Sequence, residues 1–171
     1  MSGQVILVVG ARGMGKTTTV KSLLNKVHPD SRIVLDVNGE YKDLYPRPFI
    51  GFESFAKMLT KTRKAFIVVE EATISLSNRS YSKDMADVLV RARHAENTIV
   101  LVYHSIRNIP RYIYDLANTV ILLKTNDSEE NLKNLENEKL TAAWKKIKNA
   151  PMKKNEKGRE YSPQEIVYLL E

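Results

Sequence analysis

Five short apolar runs, rich in β-branched residues, recur along the chain. They cover residues 5–9, 32–36, 65–69, 98–103 and 119–123. Continuous apolar runs of this length are typical of strands whose two faces are both buried in a parallel sheet. Segments with helical spacing separate most of these runs. The alternation predicts an α/β fold, a three-layer sandwich in which helices cover both faces of a mostly parallel central sheet.

Helices are predicted between the strands and again after the fifth one. The patterns place them over residues 16–27, 52–63, 81–94 and 129–149. A turn at Ala150 and Pro151 follows the last of these. Ser162 and Pro163 then have the sequence of an N-cap and a first helical position, so a short last helix is predicted near the end of the chain.

Composition limits the size and class of the protein. The 171 residues, 43% of them hydrophobic, suffice for one domain with a buried core. No apolar run approaches the roughly 20 residues that span a bilayer, and the first residues lack the features of a secretory signal. The absence of cysteine excludes a disulfide framework, a zinc ribbon and a cysteine nucleophile. We therefore expect a cytoplasmic protein with no membrane partner.

The charge is positive overall and uneven along the chain. Lys and Arg number 27 against 20 Asp and Glu, a net charge of +7 that suits a polyanionic partner. Residues 126–140 carry five acidic and two basic side chains, whereas residues 141–159 carry one acidic and seven basic ones. This change of composition predicts a core over residues 1–125 and a helical C-terminal extension over residues 126–171, packed on the core or extending from it.

A glycine-rich motif follows the first predicted strand. Residues 10–17 read Gly-Ala-Arg-Gly-Met-Gly-Lys-Thr and match G-x-x-x-x-G-K-[ST] at every fixed position. Between a buried strand and a helix, this motif forms a loop whose backbone N–H groups bind phosphates, while its lysine reaches the β- and γ-phosphates and its threonine binds Mg²⁺. The motif predicts a P-loop NTPase of the RecA/ASCE-like type. The predicted nucleotide-binding residues are Gly10, Arg12, Gly13, Met14, Gly15, Lys16, Thr17 and Thr18.

Two acidic residues, Glu70 and Glu71, end the third predicted strand. In P-loop ATPases the first acidic residue at this place holds Mg²⁺ through water, and the second polarises the attacking water. The usual pair is Asp-Glu, so Glu70 is one methylene longer than the residue it replaces. Thr17 and Glu70 are thus the predicted magnesium ligands. The alternative is a pair of solvated acidic residues beyond the strand end.

A competing motif lies after the second predicted strand. Residues 36–39, Asp-Val-Asn-Gly, fit the D-x-x-G of GTPases. They come only about twenty residues after the glycine-rich motif, too soon for the usual helix, switch loop and strand. Residues 124–127 do not form the N-K-x-D motif that GTPases carry after a later strand. The pattern therefore disfavours a GTPase.

Several segments taken in order resemble the HerA/FtsK superfamily. Residues 36–41, Asp-Val-Asn-Gly-Glu-Tyr, resemble the D-x-x-G-E-Y segment of HerA-type ATPases, and residues 70–72 resemble their Asp-Glu-Ala strand end. Arg93 stands where the superfamily carries an arginine directed at a neighbouring subunit's γ-phosphate. His104, eleven positions later, stands where it usually carries a Gln that senses the γ-phosphate. The resemblance covers roughly residues 4–125 and is nearest to viral and phage genome-packaging ATPases.

This resemblance implies a mechanism and partners. It implies a hexameric ring that hydrolyses ATP with Mg²⁺ and moves double-stranded DNA through contacts to the DNA phosphates. A capsid or portal protein is a further candidate partner, and the host cytoplasm or the virion is the expected location. The basic stretch over residues 141–159 is a candidate contact for DNA or for the adjacent subunit. The catalytic residues implied by the resemblance are Lys16, Glu70, Glu71, Arg93 and His104.

Two other functions remain open from the residues. A small nucleotide kinase fits the size of the chain, but it would need an arginine-rich lid between the fourth and fifth strands, where only Arg107 and Arg111 occur. A phage assembly ATPase that does not translocate DNA would share the same core. DNA would stimulate hydrolysis by a translocase but not by an assembly ATPase, so this measurement separates the two.

Overall fold

A central sheet organises the molecule. The computed structural model describes residues 3–45, 52–76, 83–92, 94–133 and 135–169. The strands are β1 (Gln4–Val9), β2 (Arg32–Leu35), β3 (Phe66–Val69), β4 (Thr98–Tyr103), β5 (Thr119–Leu122), β6 (Lys153–Lys154), β7 (Glu160–Tyr161) and β8 (Glu165–Tyr168). Six of them form one sheet in the order β2-β3-β4-β1-β5-β8, and β6 and β7 form a separate hairpin.

Helices connect the strands and follow β5. They are α1 (Lys16–Leu24), α2 (Phe52–Leu59), α3 (Ala72–Ser75), α4 (Lys83–Arg91), α5 (Arg111–Leu116), α6 (Glu129–Lys133) and α7 (Glu138–Asn149). The first five strands run parallel, so the predicted α/β sandwich with a mostly parallel sheet is confirmed. The helices α1, α2 and α4 each end earlier than the sequence pattern predicted.

Both faces of the sheet are buried, as the continuous apolar runs predicted. Successive side chains of a strand point to opposite faces. In β1, Leu7 and Val9 accordingly join one core cluster, whereas Ile6 and Val8 join the other. The parallel register sets Val9 beside Tyr103 of β4 and Leu122 of β5, which brings the carboxyl ends of these strands to one edge.

The last part of the chain differs from its prediction. The predicted helix after Ser162 is wrong, because residues 165–168 form β8, which pairs antiparallel with β5. Its side chains alternate, with Val167 buried and Ile166 and Tyr168 exposed. The Ser162 hydroxyl does not cap a helix: it accepts the Lys124 N–H at 2.7 Å and donates to the Pro163 carbonyl at 2.6 Å.

The helix predicted over residues 129–149 is two helices. Glu136, with a φ of 50°, interrupts it, and the Asn137 side chain caps α7 by accepting the Leu140 N–H at 2.8 Å. The division of the chain at residue 125 stays a prediction, and β8 extends the central sheet from beyond that point. No helix within the described residues is long and apolar enough to cross a membrane.

Candidate active site

The glycine-rich motif forms a tight loop between β1 and α1. Gly13 and Gly15 have φ values of 78° and 98°, a left-handed conformation that favours glycine. A side chain at Gly10 would lie 2.9 Å from the Leu123 Cβ, so only glycine fits there. The Gly10 N–H donates to the Tyr103 carbonyl at 3.1 Å, which ties the loop to the end of β4.

A cleft of about 500 Å³ opens beside this loop at the carboxyl edge of the sheet. The residues that line it are Arg12, Gly13, Lys16, Thr17, Asn38, Glu40, Glu70, Glu71 and His104. Seven of these nine are residues that the sequence assigned to the site. The other predicted loop residues Met14, Gly15 and Thr18 line a second cavity instead.

His104 connects the loop lysine to the second acidic residue. The Lys16 Nζ lies 3.1 Å from the His104 Nδ1, and the His104 Nε2 lies 3.0 and 2.9 Å from the two carboxylate oxygens of Glu71. A lysine ammonium can only donate, so Nδ1 accepts and Nε2–H donates to Glu71. This arrangement places the donating proton of His104 on Nε2, facing Glu71.

Lys16 is buried beneath the loop. Its ammonium also donates to the Ala11 carbonyl at 3.2 Å. Burial lowers the pKa of Lys16, and the negative charges of Glu70, Glu71 and Glu40 act in the opposite direction. The three carboxylates therefore help to keep the ammonium charged in a place where burial opposes the charge.

The backbone of Glu71 is strained. Its φ and ψ of 54° and 43° are left-handed, and it precedes the first residue of α3. A non-glycine residue in this conformation costs about 1–3 kcal/mol, and such positions cluster at active sites. The Glu71 side chain contacts His104 at the cleft.

Glu70 is buried and bound by a tyrosine. Only 3% of the residue is exposed, and the Tyr41 hydroxyl donates to its Oε2 at 2.6 Å. Burial raises the pKa of Glu70 to about 7, although the hydrogen bond from Tyr41 works against this. The two adjacent glutamates therefore have different environments: Glu70 reaches the cleft from a buried position against Tyr41, whereas Glu71 is bound by His104.

A tight turn after β2 supplies Tyr41 and Glu40 to the site. The buried Asp36 carboxylate accepts the backbone N–H groups of Glu40 at 2.9 Å and Tyr41 at 2.8 Å. The Thr17 hydroxyl donates to the Glu40 Oε2 at 2.7 Å. The sequence-based assignment missed Glu40 and Tyr41 as site residues, and the D-x-x-G-E-Y pattern was the signal for them. The Asp36 carboxylate binds N–H groups of its own turn and does not line the cleft. This argues against the GTPase alternative, which was based on the D-x-x-G pattern that begins at Asp36.

Arg91, the arginine near the end of α4 that the structure describes, does not line this cleft. Arg93 lies outside the described residues. Arg91, the last residue of α4, lines a separate cavity together with Arg63 and His94. Arg111, one of the two arginines considered for a kinase lid, forms an ion pair with Asp115 at 2.9 Å.

Comparison with known families adds to this geometry. The sequence profile described as "Helicase HerA, central domain" matches residues 3–170. The chain belongs to this HerA family. With its P-loop and its two glutamates at the end of β3, this HerA-family protein is a P-loop ATPase. A search of curated proteins finds no match to the sequence.

Solved structures share the fold. The genome packaging NTPase from Sulfolobus turreted icosahedral virus 2 in complex with ATP-gammaS aligns with a TM-score of 0.73 and 16% identity, over 97% of both chains. The DNA-packaging ATPase from Sulfolobus turreted icosahedral virus aligns at 0.70 and 16%, over 100% of both chains. The N-terminal domain of zonular occludens toxin from Neisseria meningitidis aligns at 0.56 and 16%, over 74% of this chain and 79% of that one. These structures establish the P-loop NTPase fold of this HerA-family protein.

Proposed function

We propose that this HerA-family ATPase is a motor that moves double-stranded DNA in viral or phage genome packaging. One observation carries the proposal: the fold matches two virus packaging ATPases over at least 97% of each chain. The likeness thus includes the C-terminal part with β8 as well as the P-loop core. The host cytoplasm or the virion is the corresponding location, and a capsid or portal protein is a candidate partner.

The cleft fits ATP together with Mg²⁺. The Thr17 hydroxyl, the Glu40 carboxylate and the Glu70 carboxylate supply oxygen atoms, which Mg²⁺ prefers. Proteins usually hold this ion by one or two carboxylates together with substrate phosphates and water. Thr17 and Glu70 are the ligands that we propose, and Glu40 is placed to take part because its oxygen lies on the Thr17 hydroxyl. Bound there, the ion would offset charge on the phosphates.

Three further residues then have distinct roles in hydrolysis. Lys16 donates to phosphate oxygens in place of its present contacts with His104 and Ala11. Glu71 orients the attacking water and accepts its proton. His104 senses the γ-phosphate and, through Nε2–H, fixes the direction of the Glu71 carboxylate. Any change at His104 is therefore transmitted directly to the residue that activates water.

The motor is proposed to act as a homo-oligomeric, hexameric ring. In that arrangement Arg93 would reach the nucleotide of the neighbouring subunit and stabilise charge in the transition state. Such an arginine is typically worth about 10³–10⁵ in rate. Hydrolysis would then depend on assembly of the ring.

DNA would be bound by electrostatic contacts to its phosphates. The net charge of +7 supports this, but part of the basic stretch is engaged within the molecule. Lys145 pairs with Glu129 and Lys146 with Glu165, each at 2.7 Å. The basic side chains of the β6–β7 hairpin are exposed, and Lys154 among them has only a long ion pair with Glu160, at 3.9 Å. We therefore place the DNA contact of the C-terminal part on this hairpin.

ATP hydrolysis with and without double-stranded DNA tests the proposal. We expect DNA to increase the rate at low salt and added salt to reverse the increase, because phosphate contacts release counterions. Lys16→Ala should abolish hydrolysis, whereas Lys61→Ala, an exposed lysine away from the cleft, should not.

Other outcomes would favour the other functions. A substantial rate that ignores DNA would contradict the motor and favour an assembly ATPase. No hydrolysis by itself, together with transfer of the γ-phosphoryl group to an added acceptor, would favour a kinase.

A further inference from the structure

A second cavity also adjoins the P-loop. It has a volume of about 410 Å³, within the usual range for small-molecule sites. Gly13, Lys16 and Thr17 line the cleft, whereas Gly15 and Thr18 line this second cavity. Different residues of the loop and of the start of α1 thus line the two spaces, so a nucleotide bound on the loop can extend into both.

The walls of the two spaces differ in chemistry. The cleft is lined by charged side chains, which suit the triphosphate and its metal ion. The second cavity has apolar side chains from Leu23, Leu123, Pro163 and Ile166 and the aromatic residue Tyr161, and its charged lining residues are Lys26 and Lys153. A nucleobase has apolar faces and a polar edge, so the second cavity suits the base rather than the phosphates.

The wall formed by residues 161–164 is fixed to the P-loop itself. The Ser162 N–H donates to the Met14 carbonyl at 3.3 Å, and the buried Ser162 hydroxyl accepts the Lys124 N–H. A Cβ built on Gly15 would lie 3.7 Å from the Tyr161 Cβ. The position of this wall is therefore set by the same loop that binds the phosphates.

Gln164 supplies a polar group at this cavity. Its Oε1 accepts the Thr19 hydroxyl at 3.2 Å, which orients the amide on the side of α1. An amide has both a donor and an acceptor, which match the N7 acceptor and the N6–H₂ donor of adenine. Guanine presents two acceptors on this edge, N7 and O6, so it lacks the donor that the amide oxygen needs.

We propose that residues 161–164 form the base-recognition pocket of the nucleotide site. Tyr161 and Pro163 pack against the base, and Gln164 binds its edge and selects adenine over guanine. The proposal rests on the ATP-binding part of the proposed function and is independent of DNA translocation.

Inorganic tripolyphosphate separates base binding from phosphate binding, because it carries the phosphates of ATP without the base. We would measure the affinities of ATP, GTP and tripolyphosphate by calorimetry. Tyr161→Ala should weaken ATP about tenfold, since stacking of a base on an aromatic ring is worth about 1–3 kcal/mol. The affinity of the Tyr161→Ala variant for tripolyphosphate should equal that of the wild type. Gln164→Ala should reduce the preference for ATP over GTP about tenfold.

Three controls accompany the variants. Tyr168→Ala removes an exposed tyrosine of β8 that does not line the cavity, and it should leave all three affinities unchanged. Lys16→Ala should weaken all three ligands. Tyr161→Phe keeps the ring and should retain ATP binding, which separates loss of stacking from loss of folding.

Equal effects of Tyr161→Ala on ATP and tripolyphosphate would overturn the proposal. An unchanged ATP/GTP ratio in Gln164→Ala would also overturn it. Failure of DNA to stimulate hydrolysis would contradict the motor and leave these binding results as they are, so the two failures are distinguishable.

Discussion

At the scale of single residues, the site depends on carboxylates held in unequal environments. Glu70 is buried against Tyr41, Glu71 accepts from His104, and Glu40 accepts from Thr17. A buried carboxylate loses hydration, so its neutral form is favoured. The protein thus maintains an unfavourable charge at the position proposed to bind Mg²⁺, and that charge lowers the stability of the nucleotide-free protein.

The cost of this charge predicts a pH-dependent effect of Glu70→Gln. The pKa of Glu70 is about 7 in the folded protein and 4.5 as its ordinary value. Between these values the folded state binds more protons than the unfolded state, so the free energy of unfolding falls as pH rises. The destabilisation is complete above pH 7 and amounts to at most about 3 kcal/mol. Glutamine removes the charge and keeps an acceptor for Tyr41.

Thermal unfolding in EDTA without nucleotide measures this effect. We expect Glu70→Gln to melt at a higher temperature than the wild type at pH 8, and the difference to shrink at pH 5. Glu156→Gln, on the exposed β6–β7 hairpin, serves as the control. A difference that is the same at both pH values would contradict the buried-charge interpretation.

At the scale of elements, the turn after β2 places two side chains in the cleft. The Asp36 carboxylate accepts two backbone N–H groups of that turn and is fully buried. Gly39, with a φ of 72°, lets the backbone reverse direction. The turn thus acts as a single unit that brings Glu40 to Thr17 and Tyr41 to Glu70.

Asp36→Ala should therefore damage both folding and activity. It leaves two N–H groups without their acceptor, and each buried unsatisfied group costs about 1–3 kcal/mol. We expect a lower melting temperature and a loss of ATP hydrolysis. Asp36→Asn retains one carbonyl acceptor, so its melting temperature and its rate of hydrolysis should lie between those of the wild type and of Asp36→Ala. Wild-type stability and hydrolysis in Asp36→Ala would show that the turn does not depend on this carboxylate.

The strand β8 offers a matched pair of substitutions. Val167 is 6% exposed and packs in the core, whereas its neighbour Ile166 is 50% exposed. Val167→Ala should lower the free energy of unfolding by about 1.5 kcal/mol, because two buried methylene equivalents are lost. Ile166→Ala should have a smaller effect. Denaturant unfolding of both variants checks the alternation, and equal losses would argue against a strand.

At the scale of the whole molecule, Arg12 of the P-loop is the one arginine among the described residues that lines the catalytic cleft. The other basic side chain of the cleft is Lys16, and the acidic ones are Glu40, Glu70 and Glu71. The proposed ring supplies Arg93 from the neighbouring subunit. Hydrolysis should then depend on two different subunits at each site.

Mixing two inactive variants tests this dependence. Lys16→Ala lacks the loop lysine but keeps Arg93, whereas Arg93→Ala lacks the arginine but keeps Lys16. Each alone should be inactive, while a mixture should recover part of the activity at interfaces that combine an intact loop with an intact arginine. Failure to recover, with mixed oligomers verified by pull-down of a tagged variant, would contradict action between subunits.

Much of the architecture could be predicted from the sequence. Each of the five continuous apolar runs became a strand buried on both faces, and the glycine-rich motif fixed the loop beside β1. The acidic pair after β3 was assigned to the phosphate site from its motif, and His104 from the family resemblance; all three residues line the cleft. The strand predictions succeeded because they depend on local periodicity, whereas the roles of the site residues stay predictions.

Tertiary structure decided the remaining features. Ser162 and Pro163 carry a helix-start signal, but pairing with the open edge of β5 made the following residues a strand. The contacts of Glu40 with Thr17 and of Tyr41 with Glu70 join residues 23 and 29 positions apart. The strained backbone of Glu71 and the second cavity likewise depend on packing. A sequence determines periodicity and motif chemistry by itself, whereas contacts between distant residues exist only once the chain has packed.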